Sequence, residues 1–228
     1  MSGSIRTVLF DLDGTLADTA PDLAAALNHV LVEEGRPPLP FARIRPVASH
    51  GSTGLLRLGF GLAPDDPAFA PLRVRLLAHY AANLCRETRL FPGMTDVLRW
   101  LQVQGLRWGI VTNKPAYLTE ALVPQLSLPY PPACIVSGDT TGNRKPHPEP
   151  MLHACALTGG DPAEVLYVGD AERDVRAGRA AGMRTVVALY GYIGEDEEPA
   201  RWGADGAIRA PLELLSWLER HGRGRRAP

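Results

Sequence analysis

RTVLFDLDGT, residues 6–15, opens as a strand and ends as a carboxylate-bearing turn. Arg6–Phe10 is a short apolar run of the kind buried on both faces of a parallel sheet. Asp11 and Asp13 follow at once, and Gly14 permits a sharp exit before Thr15. Ligands of an open α/β sheet bind beyond the carboxyl ends of its strands, so both carboxylates are expected in that crevice. An Asx turn or a helix cap would also use an Asp-Gly pair here.

Working outward, similar runs recur at Arg107–Thr112, Ala133–Ser137, Val165–Val168 and Thr185–Leu189, with Gly206–Ile208 weaker. Between them the spacing predicts helices over Thr95–Gln104, Ala116–Gln125, Pro148–Thr158, Glu172–Ala181 and Leu212–Arg220. Strand and helix alternate, which specifies an α/β protein with a Rossmann-like, doubly wound parallel sheet. From the first strand to the second is about 95 residues, where a crossover unit needs about 30. The excess reads as an inserted α-helical cap. Asp18–His29 and Pro71–Cys85 are its amphipathic helices, and Arg43–Leu58 is a weaker candidate broken by glycine. The expected organisation is a core of residues 1–17 and 89–228 with a cap of residues 18–88. The two crossings, near Ala17–Thr19 and Arg89–Phe91, are the expected hinge.

The chain has 228 residues and a formal net charge of -1. Such balance carries no nucleic-acid or membrane footprint. The exception is the basic end RHGRGRR, with Arg220, Arg223, Arg225 and Arg226, which reads as a frayed, solvated terminus or as a tail for RNA or an anionic surface. Cys85, Cys134 and Cys155 are odd in number and widely spaced, which argues against a disulfide framework or a zinc site. No stretch has the pattern of a signal peptide or a membrane span, so a cytoplasmic location is expected. Oligomeric state is not legible. Of 24 basic Lys and Arg residues only Lys114 and Lys145 are lysines. A compact ammonium differs from a planar guanidinium fork, so both are suspects for a role arginine cannot fill.

Three further strand ends carry chemistry. Thr112 and Asn113 offer a hydroxyl and N–H groups that could hold a phosphate or cap a helix. RKPHP (144–148) fixes Lys145 between prolines, where it could neutralise a phosphate and orient a carboxylate. VLYV ends in Gly169-Asp170, with Asp174 four residues on. Asp11, Asp13, Asp170 and Asp174 cannot all remain ionised at one sheet edge without a cation. Hard oxygen ligands beside a phosphate site select Mg²⁺.

DLDGT (11–15), Thr112, Lys145 and GDAERD (169–174) together resemble the haloacid dehalogenase superfamily, whose four motifs appear in this order. The resemblance covers nearly the whole chain and implies a phosphatase with a Rossmann-like core and a helical cap. It implies Asp11 as nucleophile, Asp13 as general acid and base, and Lys145 as the cation that positions Asp11. Thr112, Asn113 and Lys145 would bind the phosphoryl oxygens. The Asp11 carboxylate, the Asp13 carbonyl and Asp170 would hold Mg²⁺, with Asp174 a direct or outer ligand. The second aspartate, Asp13, separates phosphatases from the dehalogenase branch, whose leaving halide needs no acid. RLFPGM (89–94), WGIVTNKP (108–115) and YGYIGEDEEPARWGAD (190–205) resemble the phosphoglycolate phosphatase group, and within it the N-acetylmuramic acid 6-phosphate phosphatases. That implies a small phosphorylated metabolite as the partner molecule, with N-acetylmuramic acid 6-phosphate foremost and 2-phosphoglycolate as alternative. A phosphosugar mutase would share the motifs. A phosphorylated receiver module would be about half this length and would lack the insertion. In the cap, Ser49, His50 and Gly51 are expected to line the substrate pocket, and Arg43, Arg45, Arg57 or His50 to meet a substrate carboxylate. Lys114 is expected nearer the rim.

Overall fold

The computed structural model describes residues 4–222. The chain runs β1 (Thr7–Phe10), β2 (Ala17–Asp18), α1 (Ala20–Glu33), α2 (Phe41–Ile44), a 3₁₀ turn (Arg45–His50), α3 (Gly51–Phe60), α4 (Phe69–Ala82) and β3 (Arg89–Leu90). It continues α5 (Met94–Val103), β4 (Arg107–Val111), α6 (Ala116–Leu122), β5 (Ile135–Val136), α7 (Glu149–Thr158) and β6 (Val165–Gly169). The last elements are α8 (Glu172–Ala180), β7 (Arg184–Ala188), β8 (Gly206–Ile208) and α9 (Glu213–His221).

Six strands form one sheet in the order β5-β4-β1-β6-β7-β8, and every pairing in it is parallel. The expected α/β class and all six expected strands are present. The strand expected over Ala133–Ser137 shortens to Ile135–Val136, since only those two residues pair with β4. β1 is buried along its whole length, because β4 and β6 flank it and its side chains pack alternately against α5 and α9 on one face and α7 and α8 on the other. α5 shows how a covering helix is written: Met94, Val97, Leu98 and Leu101 recur at helical spacing and all are buried. The chain passes from β1 toward β4 and β5, then returns to β6, β7 and β8 on the other side. The carboxyl ends of β1 and β6 therefore border the switch point where such sheets bind ligands.

The insertion after β1 is helical, as its periodicity predicts. The helix expected over Arg43–Leu58 is instead three pieces, α2, the 3₁₀ turn and α3. Pro46 near the start of the turn and Gly51 at φ 60° after it break the run. Asp18 belongs to a strand rather than to the first helix. α1, α3 and α4 share an apolar cluster of their own, which includes Leu27, Leu31, Leu56 and Leu76. Phe91, Leu118 and Tyr192 join that cluster from the sheet side, so the helical layer is seated against the sheet.

The periodicity did not reveal a two-stranded ribbon. β2 and β3 pair antiparallel, Ala17 with Leu90 and Asp18 with Arg89, where the chain leaves and re-enters the sheet layer. Two residues per strand are too short for an alternation signal.

Cys85, Cys134 and Cys155 are free thiols. Among the described residues no helix is long and apolar enough to cross a membrane. Of the basic terminus, Arg223, Arg225 and Arg226 lie outside the described residues.

Asp22, in the first turn of α1, ties the helix to the returning strand. Its buried carboxylate accepts from the N–H of Glu87 at 3.0 Å, and from the N–H and hydroxyl of Thr88 at 3.0 and 2.6 Å. Truncation would strand buried donors. Asp22→Ala is expected to lower stability by about 2–4 kcal/mol in urea unfolding, and a change under about 0.5 kcal/mol would show that water replaces the carboxylate.

Candidate active site

Asp11 is the first residue beyond β1, and its backbone N–H still donates to Val168 of β6. The side chain is 3% exposed. Oδ1 accepts the N–H of Leu12 at 2.7 Å and lies 3.0 Å from Lys145 Nζ. Asp170 and Asp174 come from the neighbouring strand end, from the end of β6 and the first turn of α8, and both are wholly buried. One oxygen from each of Asp11, Asp170 and Asp174 lies within 4.8 Å of the others. The motifs at 11–15 and 169–174 therefore meet because β1 and β6 are adjacent in the sheet.

Lys145 holds this cluster. Its ammonium lies 2.7 Å from Asp174 Oδ1, 2.8 Å from the Tyr167 hydroxyl and 3.0 Å from the Val111 carbonyl. Tyr167 in turn donates to Val111 O at 2.7 Å. The loop carrying Lys145 is fixed by Asn113, whose side-chain carbonyl accepts from the Lys145 N–H at 3.0 Å. The Asn113 amide donates back to the Lys145 carbonyl at 2.9 Å. The Asn113 side chain is thus committed to the lysine loop rather than open to a ligand. Thr112 is buried, and its hydroxyl accepts the N–H of Lys114 at 3.2 Å.

Asp13 stands apart from the three clustered carboxylates. Its Oδ1 accepts from the Thr19 hydroxyl at 2.7 Å and from Lys114 Nζ at 2.9 Å. Lys114 is only 7% exposed. It also donates to the Tyr80 hydroxyl of α4 at 2.9 Å. The expected rim position of Lys114 is therefore corrected: the residue spans from Asp13 to the helical layer. Burial works against its charge, but Asp13 and then Tyr80 outweigh this and push the ammonium's pKa up. Both of the chain's lysines lie in the site, as their scarcity suggested.

Tight backbone packing frames Asp170. Gly14 has φ 82°, and a Cβ on it or on Gly191 would collide with the Asp170 side chain. Tyr192 N–H donates to Asp170 Oδ2 at 2.8 Å. The Tyr192 hydroxyl accepts from the N–H groups of Thr19 and Ala20 at 2.6 and 2.8 Å and donates to Asp18 at 2.7 Å. Sequence reasoning missed Thr19, Tyr167, Arg173 and Tyr192. The signal available for Tyr192 was the unusual 190–205 segment, and Arg173 sits inside the GDAERD motif.

From the helical layer, Ser49 reaches the site, its hydroxyl donating to Asp170 Oδ1 at 3.2 Å. His50 is an exposed residue at the end of the 3₁₀ turn, and Gly51 opens α3. Arg43 and Arg57 are exposed. Arg45 is spent on the carbonyls of Tyr190 and Gly191, at 2.9 and 3.0 Å.

Hard carboxylate oxygens in a buried triad suit a divalent cation. Electrostatics agree. Burial pushes the Asp11 carboxyl up, Lys145 opposes that, and the charge on Asp174 adds to it. Asp170 is pushed up to about 7, first by burial and then by Asp11 and Asp174.

Residues 8–188 match the haloacid dehalogenase-like hydrolase family. The chain is 41% identical over 215 residues to the N-acetylmuramic acid 6-phosphate phosphatase of Pseudomonas putida, covering 94% of this chain and 96% of that protein. It is 44% identical over 209 residues to a phosphoglycolate phosphatase of Xanthomonas campestris pv. campestris, covering 92% and 94%. A hydrolase of Pseudomonas syringae has a similar crystal structure, with TM-score 0.73 and 28% identity, covering 94% of this chain and 98% of that one.

The raised Asp170 carboxyl makes cation-free stability depend on pH. Above the ordinary carboxylate value of 3.8 the unfolded chain ionises this group, while the folded protein holds its proton until about 7. Stability is therefore retained at low pH and lost as pH rises through that window, by up to about 4 kcal/mol from this group. Urea unfolding in EDTA from pH 5 to pH 8 is expected to show the decline, and the Asp170→Asn variant should make it shallower, with the raised Asp11 carboxyl supplying the remainder. A wild-type midpoint that rises over this range would contradict the assignment.

Proposed function

The chain belongs to the haloacid dehalogenase-like hydrolases, and we propose that it is a Mg²⁺-dependent phosphomonoesterase working through a phosphorylated Asp11. The observation that carries this reading is the pairing of Lys145 Nζ with both Asp11 and Asp174 at 3.0 and 2.7 Å. That ion pair aims a carboxylate out of β1 and leaves its second oxygen for attack.

Asp11 attacks phosphorus, and the bond from phosphorus to the ester oxygen breaks. Asp13 enters this step in its protonated form and gives that proton to the departing oxygen. Water then attacks the aspartyl phosphate, Asp13 takes the proton from that water, and inorganic phosphate leaves with Asp11 restored. Lys145 neutralises charge at the phosphoryl group, and Thr112 holds a phosphoryl oxygen through its hydroxyl. With the side chain of Asn113 committed to Lys145, its contribution comes through the backbone N–H. Asp11, Asp170 and the Asp13 carbonyl would hold the metal, with Asp174 oriented behind them by Lys145 and by the Ala171 N–H at 3.0 Å. A bound Mg²⁺ would supply charge neutralisation at the phosphoryl oxygens. Residues 18–88 act as the cap. Thr19 and Lys114 grip Asp13 from the hinge and from beneath the cap, so closure orients the acid–base carboxylate.

The substrate we favour is N-acetylmuramic acid 6-phosphate. The segment 190–205, on which that choice rests, forms the Tyr190–Tyr192 turn against Asp170 and the cap. The phosphoglycolate alternative is supported by the 44% identical Xanthomonas relative. Phosphate release from the two esters decides between them. The expected result is a kcat/KM at least about tenfold higher for the muramic acid ester, equal to about 1.4 kcal/mol of transition-state binding. The reverse preference would transfer the assignment to phosphoglycolate. Asp11→Asn should lose roughly 10⁴-fold or more of activity on either ester. Retention of a tenth of it would place the nucleophile elsewhere.

Lys114 gives a separate test. Its ammonium fills a closed space between Asp13 and Tyr80, and a guanidinium is wider and planar. Lys114→Arg is expected to lower kcat on the order of 10- to 100-fold, and Lys145→Arg is expected to do the same. Activity within about twofold of wild type would show that the Asp13 contact is dispensable.

A further inference from the structure

Arg173 lies in the first turn of α8, between Asp170 and Asp174 in sequence, yet its hydrogen bonds run to the cap. Its Nη2 donates to both the carbonyl and the hydroxyl of Ser49, each at 2.8 Å. At the other end of the same 3₁₀ turn the direction of grip reverses. Arg45 reaches out of the cap and donates to the Tyr190 and Gly191 carbonyls at 2.9 and 3.0 Å. Its guanidinium also lies 5.1 Å over the Tyr192 ring. The turn Arg45–His50 is thus held at its first residue by its own arginine and near its last by an arginine of the core.

We propose that Arg173 and Arg45 are positioning residues that together dock the 3₁₀ turn 45–50 of the cap over the carboxylate cluster. The pair sets the closed state in which the reaction proceeds. Four charge-assisted donor contacts, on partly buried groups, fall on a six-residue segment. Bonds from a guanidinium to fixed carbonyls are among the stronger polar contacts available. The core partners are the segments that frame Asp170: Tyr192 N–H bonds to it, and Arg173 follows it in the same motif. Docking also carries the Ser49 hydroxyl to Asp170 at 3.2 Å. Closure and the arrangement of the carboxylate site are thereby made at one surface. Arg43 and Arg57, in the same part of the cap, are exposed and take no part.

The test combines hydrogen exchange with kinetics on Arg45→Ala, Ser49→Ala and Arg173→Ala. Ser49→Ala and Arg45→Ala leave the charge beside the carboxylates intact, so they remain informative if Arg173→Ala folds poorly. Each of these two variants is expected to speed amide exchange at residues 47–50 by about threefold or more, and Arg45→Ala by about tenfold, with α1 and α4 unchanged. The kinetic arm rests on the phosphatase reading. With N-acetylmuramic acid 6-phosphate as the probe, Arg45→Ala should lower kcat and raise KM together, as loss of a closed state does, and Arg45→Lys should recover part of both. If the wild type releases no phosphate from that ester, the exchange arm still reads the docking. Unchanged exchange at 47–50 in both Arg45→Ala and Ser49→Ala would overturn the proposal. So would a loss confined to kcat, which would place these arginines in the chemistry instead.

Discussion

The ammonium of Lys145 is the contact on which the site depends. It is wholly buried, and it faces Asp11 from β1, Asp174 from α8, the Val111 carbonyl at the end of β4 and Tyr167 from β6. Three parallel strands and one helix N-terminus therefore converge on a single cation. Without it, two carboxylates would share a site of low dielectric and one would take up a proton. Tyr167 and Asn113 exist in this arrangement to keep the lysine in place, one at its ammonium and the other at its backbone.

A second lysine divides the labour among the carboxylates. Asp11 belongs to the buried triad, whereas Asp13, two residues on, turns to Lys114, Thr19 and the cap. Just after Asp13, the left-handed Gly14 lets the chain turn back so tightly that the Asp170 side chain packs against it. One carboxylate is thus tied to the core and its neighbour, through Lys114 and Tyr80, to the helical layer. Tyr192 reinforces the division: its backbone serves Asp170, while its hydroxyl gathers Asp18 and the first N–H groups leading into α1.

The cap is attached by more than a flexible hinge. The β2–β3 ribbon pairs the outgoing and returning chain, and Asp22 bonds α1 to Thr88 just before β3. In the cap movement proposed above, this hydrogen-bonded ribbon would bend as a unit. The polar contacts that such a movement would break include those of the 45–50 turn, of Ser49 with Asp170, and of Tyr80 with Lys114. Polar docking of this kind exchanges its hydrogen bonds for water on opening, so its net strength is below the sum of its contacts even where guanidinium groups make it strong.

Much of this was written locally. Buried strands need unbroken apolar runs, so the six strands, the flanking helices and the long insertion could be read from residue type and spacing. The carboxylates after β1 and β6, the loop lysine and Thr112 could be placed at one sheet edge because strand ends in such a sheet share an edge. The rarity of lysine also pointed to Lys114 and Lys145. Tertiary structure alone decided which partner each charge takes. Lys114 pairs with Asp13 across 101 residues, Arg173 with Ser49 across 124 and Tyr192 with Thr19 across 173. Asn113 proved to be a brace for the lysine loop for the same reason. Periodicity is a property of neighbours along the chain, whereas the pairing of buried charges is set by which strand ends and cap residues the packing brings within about 3 Å.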